Sequence, residues 1–527
     1  MPSTQMMIDR MQTHPQQIDA ERLIIASNRG PVEFYLKQEN QLKYRRGAGG
    51  MVTALIDAGN RMDVTWVAMA MTEGDRFALK EAGDGLIQSP LRGQKMQLRY
   101  VAIPKMAYRK HYDRVSNQVL WFLQHYLYNP NDPPLSDLRL QDAWANGYSV
   151  ANQAIADAVC AEIGREDSTP VVMLHDYHLY LAPAIIRRCH PEVVMQQFIH
   201  IPWPDARVWY FLPGNISQAI YQGLLGNDII GLQTQRDARN FLEGARSILE
   251  GAEVRFETGE ICWRGRCTRV RAYPISISVA EERRIIQSAA GRRAAAKMEP
   301  HLGVSRTIMR VDRVDPTKNI VRGFQAYAQV LDEHPELIGK VKFLAFLVPS
   351  RQSLPVYQRY TAEVHKTIEE INQRYGTDDW QPIEAFFEND RTRALAAMRY
   401  YDVLLVNPII DGMNLVSKEG PVVNERDGVL VLSRTAGSFE QLGKAALPTS
   451  PIDVGETARA LYTALTLSAS ERRRRARKAR QQVEQNDLNG WLRGQIQDIN
   501  VVLANRAASA AEEPTEEAMD LQEVGVG

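Results

Sequence analysis

Short apolar runs alternate with helical stretches in two successive series along the chain. The first series opens at Arg22-Leu23-Ile24-Ile25-Ala26, a strand pattern that breaks into polar Ser27-Asn28-Arg29 and then Gly30-Pro31. A glycine-rich turn, Gly47-Ala48-Gly49-Gly50, leads into an apolar helix predicted over 51–58. The theme returns where residues 171–174 run into His175-Asp176-Tyr177-His178, and where Gln197-Phe198-Ile199 runs into His200-Ile201-Pro202-Trp203-Pro204. It returns again where 228–232 precede Gln233-Thr234-Gln235 and a helix from Asp237. The second series begins near residue 306. Thr307-Ile308-Met309 leads through Arg310 to Lys318 into a helix carrying Val321, Phe324 and Tyr327, and further strands are predicted at 341–347, 403–406 and 429–432.

Apolar strands alternating with helices predict parallel sheets covered on both faces, so the fold class is α/β, and the two series predict two such domains. A chain of 527 residues exceeds what one core organises, in agreement with two series. The expected division is a flexible segment over 1–20, a first domain over 21–278, a second over 279–505 and a disordered acidic tail over 506–527. From Ala507 onward the chain carries six acidic and no basic residues, many alanines, and little that could pack. The last helix before it is expected to return to the first domain.

Charge narrows the partners. Lys+Arg and Asp+Glu both number 63, so net charge argues for neither nucleic acid nor an anionic membrane. The Arg-rich stretch 471–480 reads as a solvated helix face. Neither a signal-peptide core nor a run of about 18 apolar residues is present, and the expected location is the cytoplasm. The four cysteines, Cys160, Cys189, Cys262 and Cys267, lack zinc-site spacing and read as buried or free thiols. No metal or other cofactor is expected. The expected partners are small molecules, with a homo-oligomer possible.

The unusual polar residues cluster after strands, where open α/β sheets bind ligands. Arg313 and Lys318 share one strand-to-helix loop. Two cations beside a helix N-terminus suit a diphosphate, and the plainer reading is ion pairing with Asp312 or Asp315. In Asp411-Gly412-Met413-Asn414-Leu415-Val416-Ser417-Lys418-Glu419, one carboxylate lies in a loop and the other about a turn into a helix that Asn414 can cap. One suits sugar hydroxyls and the other a ribose. His175, Asp176 and His178 fit no common metal site; Asp176 and His200 suit hydroxyl binding, while His178 reads as structural. Gly49 and Gly50 would let backbone approach a phosphate. No Gly-x-Gly-x-x-Gly follows the first strand, which argues against a dinucleotide oxidoreductase.

Taken in order, these segments resemble the trehalose-6-phosphate synthases, retaining glycosyltransferases of family 20. Leu120-Trp121, His125-Tyr126, Tyr273-Pro274-Ile275 and Asn486-Asp487 with Trp491 extend the match over roughly 22–500. The resemblance implies two Rossmann-like domains facing across a cleft, the GT-B architecture, and transfer of glucose from a nucleoside diphosphate glucose, UDP-glucose first, to glucose 6-phosphate. It implies a donor site of Gly49, Gly50, His200, Arg313, Lys318, Asp411, Gly412, Met413, Asn414, Leu415, Val416 and Glu419. It implies an acceptor site of Arg29, Trp66, Tyr112, Trp121, Asp176 and Arg351. Asp176, His200, Arg313, Lys318 and Asp411 would carry the chemistry.

Asp315-Pro316-Thr317-Lys318-Asn319 and the stretch 420–427 look more like the validoxylamine-phosphate synthases on the same fold, and Met69 and Ile410 also depart from the synthase pattern. An aminocyclitol phosphate or glycerol phosphate acceptor is therefore the sister reading. A non-catalytic sugar-phosphate sensor is the reading of another class.

Overall fold

The computed structural model describes residues 18–37, 41–47, 62–83, 85–91, 96–303 and 306–512. The expected turn at Gly49-Gly50, the helix over 51–58, and most of both termini lie outside them. Twelve strands precede residue 273: β1 (Arg22–Ser27), β2 (Val32–Leu36), β3 (Leu42–Arg46), β4 (Asp63–Met69), β5 (Leu86–Gln88), β6 (Met96–Val101), β7 (Val171–His175), β8 (Val194–Phe198), β9 (Ile229–Leu232), β10 (Glu253–Arg255), β11 (Glu260–Trp263) and β12 (Arg266–Ala272). All but the β2–β3 hairpin form one sheet, in the order β10-β11-β12-β9-β8-β7-β1-β4-β6-β5. Its centre is parallel and its two edges are antiparallel. The second sheet is wholly parallel: β13 (Arg306–Arg313), β14 (Val341–Val348), β15 (Ile383–Phe386), β16 (Val403–Val406), β17 (Val429–Ser433) and β18 (Leu447–Thr449), ordered β15-β14-β13-β16-β17-β18.

Both orders turn at one point. In the first sheet β1 lies between β4 and β7, and in the second β13 lies between β14 and β16. At such a switch point the following helices leave to opposite faces and open a crevice beyond the strand ends. The central strands β1, β7, β8, β16 and β17 are buried at every position because both faces are covered, and most read as apolar runs, β8 excepted, where Gln196 and Gln197 are buried and hydrogen-bonded.

The chain crosses between domains twice, and the crossings lie together, the Leu488 N–H donating to the Ile277 carbonyl at 3.0 Å. The final helix, Leu488–Glu512, packs on the first domain: Trp491 meets Phe198 edge to face at 5.2 Å, and Gln196 donates to Gln495 at 2.7 Å. It runs to Glu512, past the point where the disordered tail was expected to begin. Alanine-rich sequence there continues a helix already nucleated and docked upstream.

The Arg-rich stretch lies in the helix Ala469–Gln485, whose arginines are largely engaged, Arg472 with Asp402 and Arg474 and Arg475 with Glu471. The thiol expectation is corrected at one pair: Cys262 and Cys267 face each other across β11 and β12 and are disulfide-bonded. Spacing alone does not reveal the tight hairpin that brings them opposite. Cys160 and Cys189 are free. No helix among the described residues is long and apolar enough to cross a membrane.

Candidate active site

The second domain's switch point supplies two loops. After β13, Asp315 accepts the Thr317 N–H and starts the short turn Pro316–Lys318; Asn319, at φ 57°, then redirects the chain into the helix Ile320–Glu333. After β16, the loop 407–415 is pinned on both sides, the Ile409 N–H donating to the Thr317 carbonyl and the Asp411 N–H to that of Thr435. Lys318 Nζ forms a close ion pair with Asp411, and Asn414 Nδ2 donates to the same carboxylate oxygen at 3.1 Å. Asn414 sits at φ 65°, and its Oδ1 accepts the Ser417 N–H at 3.3 Å, as a cap should.

Burial pushes the Asp411 carboxyl up, but the Lys318 ammonium, aided by Arg313, outweighs it and holds the group below its usual range. Neither Arg313 nor Lys318 pairs with Asp312 or Asp315. Asp312 holds Arg310 and Asp315 holds Arg351, so the plainer reading of the two cations falls away.

The first domain presents an aromatic face. Residues Lys110–Leu120 form a π-helix that continues into Trp121–Gln124, and a second π-turn, Trp144–Tyr148, packs on it. Gly147 permits that approach: a β-carbon there would lie 2.4 Å from Cβ of Lys110. The widened helix aims Tyr112 and Trp121 at the second domain. Tyr112 stacks between Tyr108 and His178, at 5.5 and 5.7 Å.

The Arg313 guanidinium lies over the Trp121 ring at 5.3 Å and that of Arg351 at 4.1 Å, and Arg351 donates to the Tyr177 hydroxyl at 3.2 Å. Exposed Arg29 follows β1, and its charge acts together with that of Arg351 on His178. Two guanidiniums from two domains thus converge on one aromatic pocket.

Asp176, at φ 72°, ends β7 and accepts the His200 N–H at 3.3 Å. Burial raises its carboxyl to about 6 and lowers the His200 imidazole to about 4, so His200 is neutral at pH 7. Asp176, Asn319, Arg351 and Asn414 are four of the seven non-glycine residues with positive φ among the described residues, and strain of this kind persists where packing enforces it.

Gly412 joins the halves. A β-carbon at Gly412 would lie 2.3 Å from the His200 carbonyl oxygen, so only glycine allows the two loops to touch. The Met413 side chain is buried in the first domain's core cluster, so it anchors the loop and leaves the backbone to face a ligand. Leu415 and Val416 are half-buried at the start of the helix Val416–Val423, and Glu419 lies in its first turn.

One expected residue is misplaced. Trp66 is fully buried in β4, its indole N–H donating to Ser27 Oγ at 2.8 Å, so it presents nothing to an acceptor. Both faces of β4 are covered, Trp66 and Ala68 packing in one core cluster and Val67 and Met69 in another. Conversely, Tyr108 and Tyr357 join this aromatic face and Arg391 meets Glu419 at 3.3 Å, without a motif to mark them, and Tyr177 joins it from within the segment His175-Asp176-Tyr177-His178.

Against this geometry, the sequence profile of Glycosyltransferase family 20 matches residues 21–501. A bifunctional trehalose-6-phosphate synthase/phosphatase from Thermoproteus tenax is 32% identical over 95% of this chain, which spans 66% of that relative's length. A validamine 7-phosphate valienyltransferase from Streptomyces hygroscopicus is 28% identical, over 88% of this chain and 90% of its own. A solved structure described as trehalose-6-phosphate from E. coli bound with UDP-2-fluoro glucose superposes with a TM-score of 0.78 at 26% identity, covering 91% of this chain and 99% of that one.

Proposed function

The chain belongs to glycosyltransferase family 20, and from that premise we propose that it moves glucose from a nucleoside diphosphate glucose, UDP-glucose first, to glucose 6-phosphate with retention, giving α,α-trehalose 6-phosphate. The observation that carries the reading is the opposition of two switch points, one bearing Arg313, Lys318 and Asp411 and the other bearing Arg29, Asp176 and a ring-lined pocket capped by Arg351.

In this reading Arg313 and Lys318 take the diphosphate, with N–H groups at the start of the helix Val416–Val423 adding to their charge. Asp411 and His200 hold the transferred glucose, and Glu419 takes the ribose. Arg29, Tyr112, Trp121 and Arg351 hold the acceptor phosphate, and Asp176 takes an acceptor hydroxyl. No residue pair is cast as nucleophile plus acid–base; the leaving diphosphate helps to deprotonate the acceptor on the face it departs from. The chain's contribution is positioning and stabilisation of the leaving charge. No metal or further cofactor takes part.

A second reading, an aminocyclitol phosphate acceptor, is favoured by the likeness to the Streptomyces valienyltransferase and by the loop 315–319. The test is nucleotide release from UDP-, GDP- and ADP-glucose against a panel of phosphorylated acceptors. Release stimulated most by glucose 6-phosphate is expected. Preference for a cyclitol phosphate would move the chain to the second reading, and ligand binding without any release would make it a sensor.

A further inference from the structure

We propose that Glu282 is a positioning residue for the donor: through Arg391 it governs how much positive charge reaches the Glu419 carboxylate, an inference that rests on the ribose role given to Glu419 above. Glu282 lies in the helix Val279–Gln287, directly after the first crossing between domains, and is 3% exposed. Arg391, first residue of the helix Arg391–Met398, donates from one nitrogen to both carboxylates: to Glu282 Oε1 at 2.5 Å and to Glu419 Oε1 at 3.3 Å. The other Glu282 oxygen is buried without a partner. Two carboxylates thus share one guanidinium at the edge of the donor site.

The surrounding charges are spent elsewhere. Arg283 pairs with Glu484, Arg284 with Glu281 and Arg393 with Glu388, while the Lys418 ammonium donates to the Ile275 carbonyl. On the helix Ala289–Met298, Arg292, Arg293 and Lys297 are exposed to solvent. Among the described residues Arg391 is therefore the cation that serves both acids. Burial, and then the neighbouring Glu419 charge, raise Glu282 to about 7, and burial raises Glu419 as well.

Such a pair titrates as a unit, with one proton resting on it below neutrality. While Glu282 holds that proton, Arg391 belongs to Glu419 and keeps it ionised to accept ribose hydroxyls. When Glu282 ionises, the two acids compete. The pH dependence of donor binding near neutrality is then set by how the guanidinium is shared, which no residue touching the donor reveals by itself.

The test is the pH dependence, from about pH 5 to 8, of donor kcat/KM and of the calorimetric Kd for UDP, in wild type, Glu282→Gln and Arg391→Gln. Glu282→Gln fixes the protonated form that wild type already holds below neutrality, so its acid limb should stay in place while the change that Glu282 ionisation brings near pH 7 disappears; Arg391→Gln should raise the acid limb by about half a pH unit or more. A lost step near neutrality in one variant and a raised acid limb in the other are the signature. A Glu282→Gln profile that keeps the step near pH 7, or an acid limb unmoved in Arg391→Gln, overturns the proposal, since a purely structural role changes melting temperature without such a pattern. Should Glu282→Gln not fold, Glu282→Asp takes its place: the shorter acid reaches Arg391 less well, and the step near pH 7 should weaken. A wild type that neither binds UDP nor releases nucleotide would instead refute the functional reading itself.

Discussion

The two faces of the cleft solve recognition by different means. The second domain's face is ionic and local: Lys318, Asp411 and Asn414 come from two loops at one switch point and contact one another directly. The first domain's face is aromatic and assembled from afar. Tyr112 lies on the widened helix, Tyr108 just before it and Trp121 just after it, His178 comes from the turn after β7, and Arg351 reaches in from the other domain. The difference suits the ligands. A diphosphate's leaving charge needs preorganised cations, while a sugar phosphate needs ring surfaces and a cation held over them, as Arg351 is over Trp121.

The sharpest way to break this contrast is to remove a cation from the ionic face. Lys318→Ala or Arg313→Ala should lower turnover at least about a hundredfold in the nucleotide-release assay, with acceptor affinity little changed. Near-normal rates in either variant would remove that residue from the donor site.

Gly412→Ala attacks the contact between the faces. The added carbon clashes with the His200 carbonyl and forces the loops apart, a cost of about 1–3 kcal/mol. We expect turnover to drop about tenfold or more with circular dichroism unchanged. Full activity would show that the faces need not touch there.

Arg351→Lys sharpens the aromatic side. A lysine keeps the charge but loses the flat fork that stacks on Trp121 and reaches both Tyr177 and Asp315. The KM for glucose 6-phosphate should rise about tenfold at saturating donor, with UDP affinity preserved. An equal loss for both substrates would count against a division of labour.

The smallest effect concerns stability. Asp176 has a folded value of about 6, above its ordinary 3.8, because burial penalises the charge. The protonated form is favoured by folding, so its contribution is fully present below about 3.8 and is lost as pH rises through 6. Asp176→Asn should therefore be more stable than wild type at pH 7.5, by on the order of 2 kcal/mol at most given the partial exposure, and the advantage should shrink at pH 5. Urea unfolding at the two pH values measures it.

The same contrast governs what the sequence made legible. The donor loops are contiguous, so Arg313, Lys318, Asp411 and Glu419 stand out as charges after apolar strands, and the strand positions follow from the apolar runs. The acceptor face depends on long-range placement. Tyr177 meets Arg351 from a segment 174 residues earlier in the chain, and no periodicity announces such a meeting. Trp66 illustrates the reverse error: a residue matched by motif sits in a strand buried on both faces, its indole N–H taken by Ser27. The Cys262–Cys267 bond escaped because its geometry follows from strand pairing, and Arg391 carries no motif that ties it to Glu419.

The central claim is that the two switch points hold one pair of substrates between them, and a crystal structure with UDP and glucose 6-phosphate bound tests it most directly. The account predicts the diphosphate within hydrogen-bond reach of Arg313 and Lys318, the ammonium drawn from Asp411 toward it, and the sugar phosphate between Arg29 and Arg351. A diphosphate seated away from Arg313 and Lys318, with the Lys318–Asp411 pair undisturbed, would contradict it.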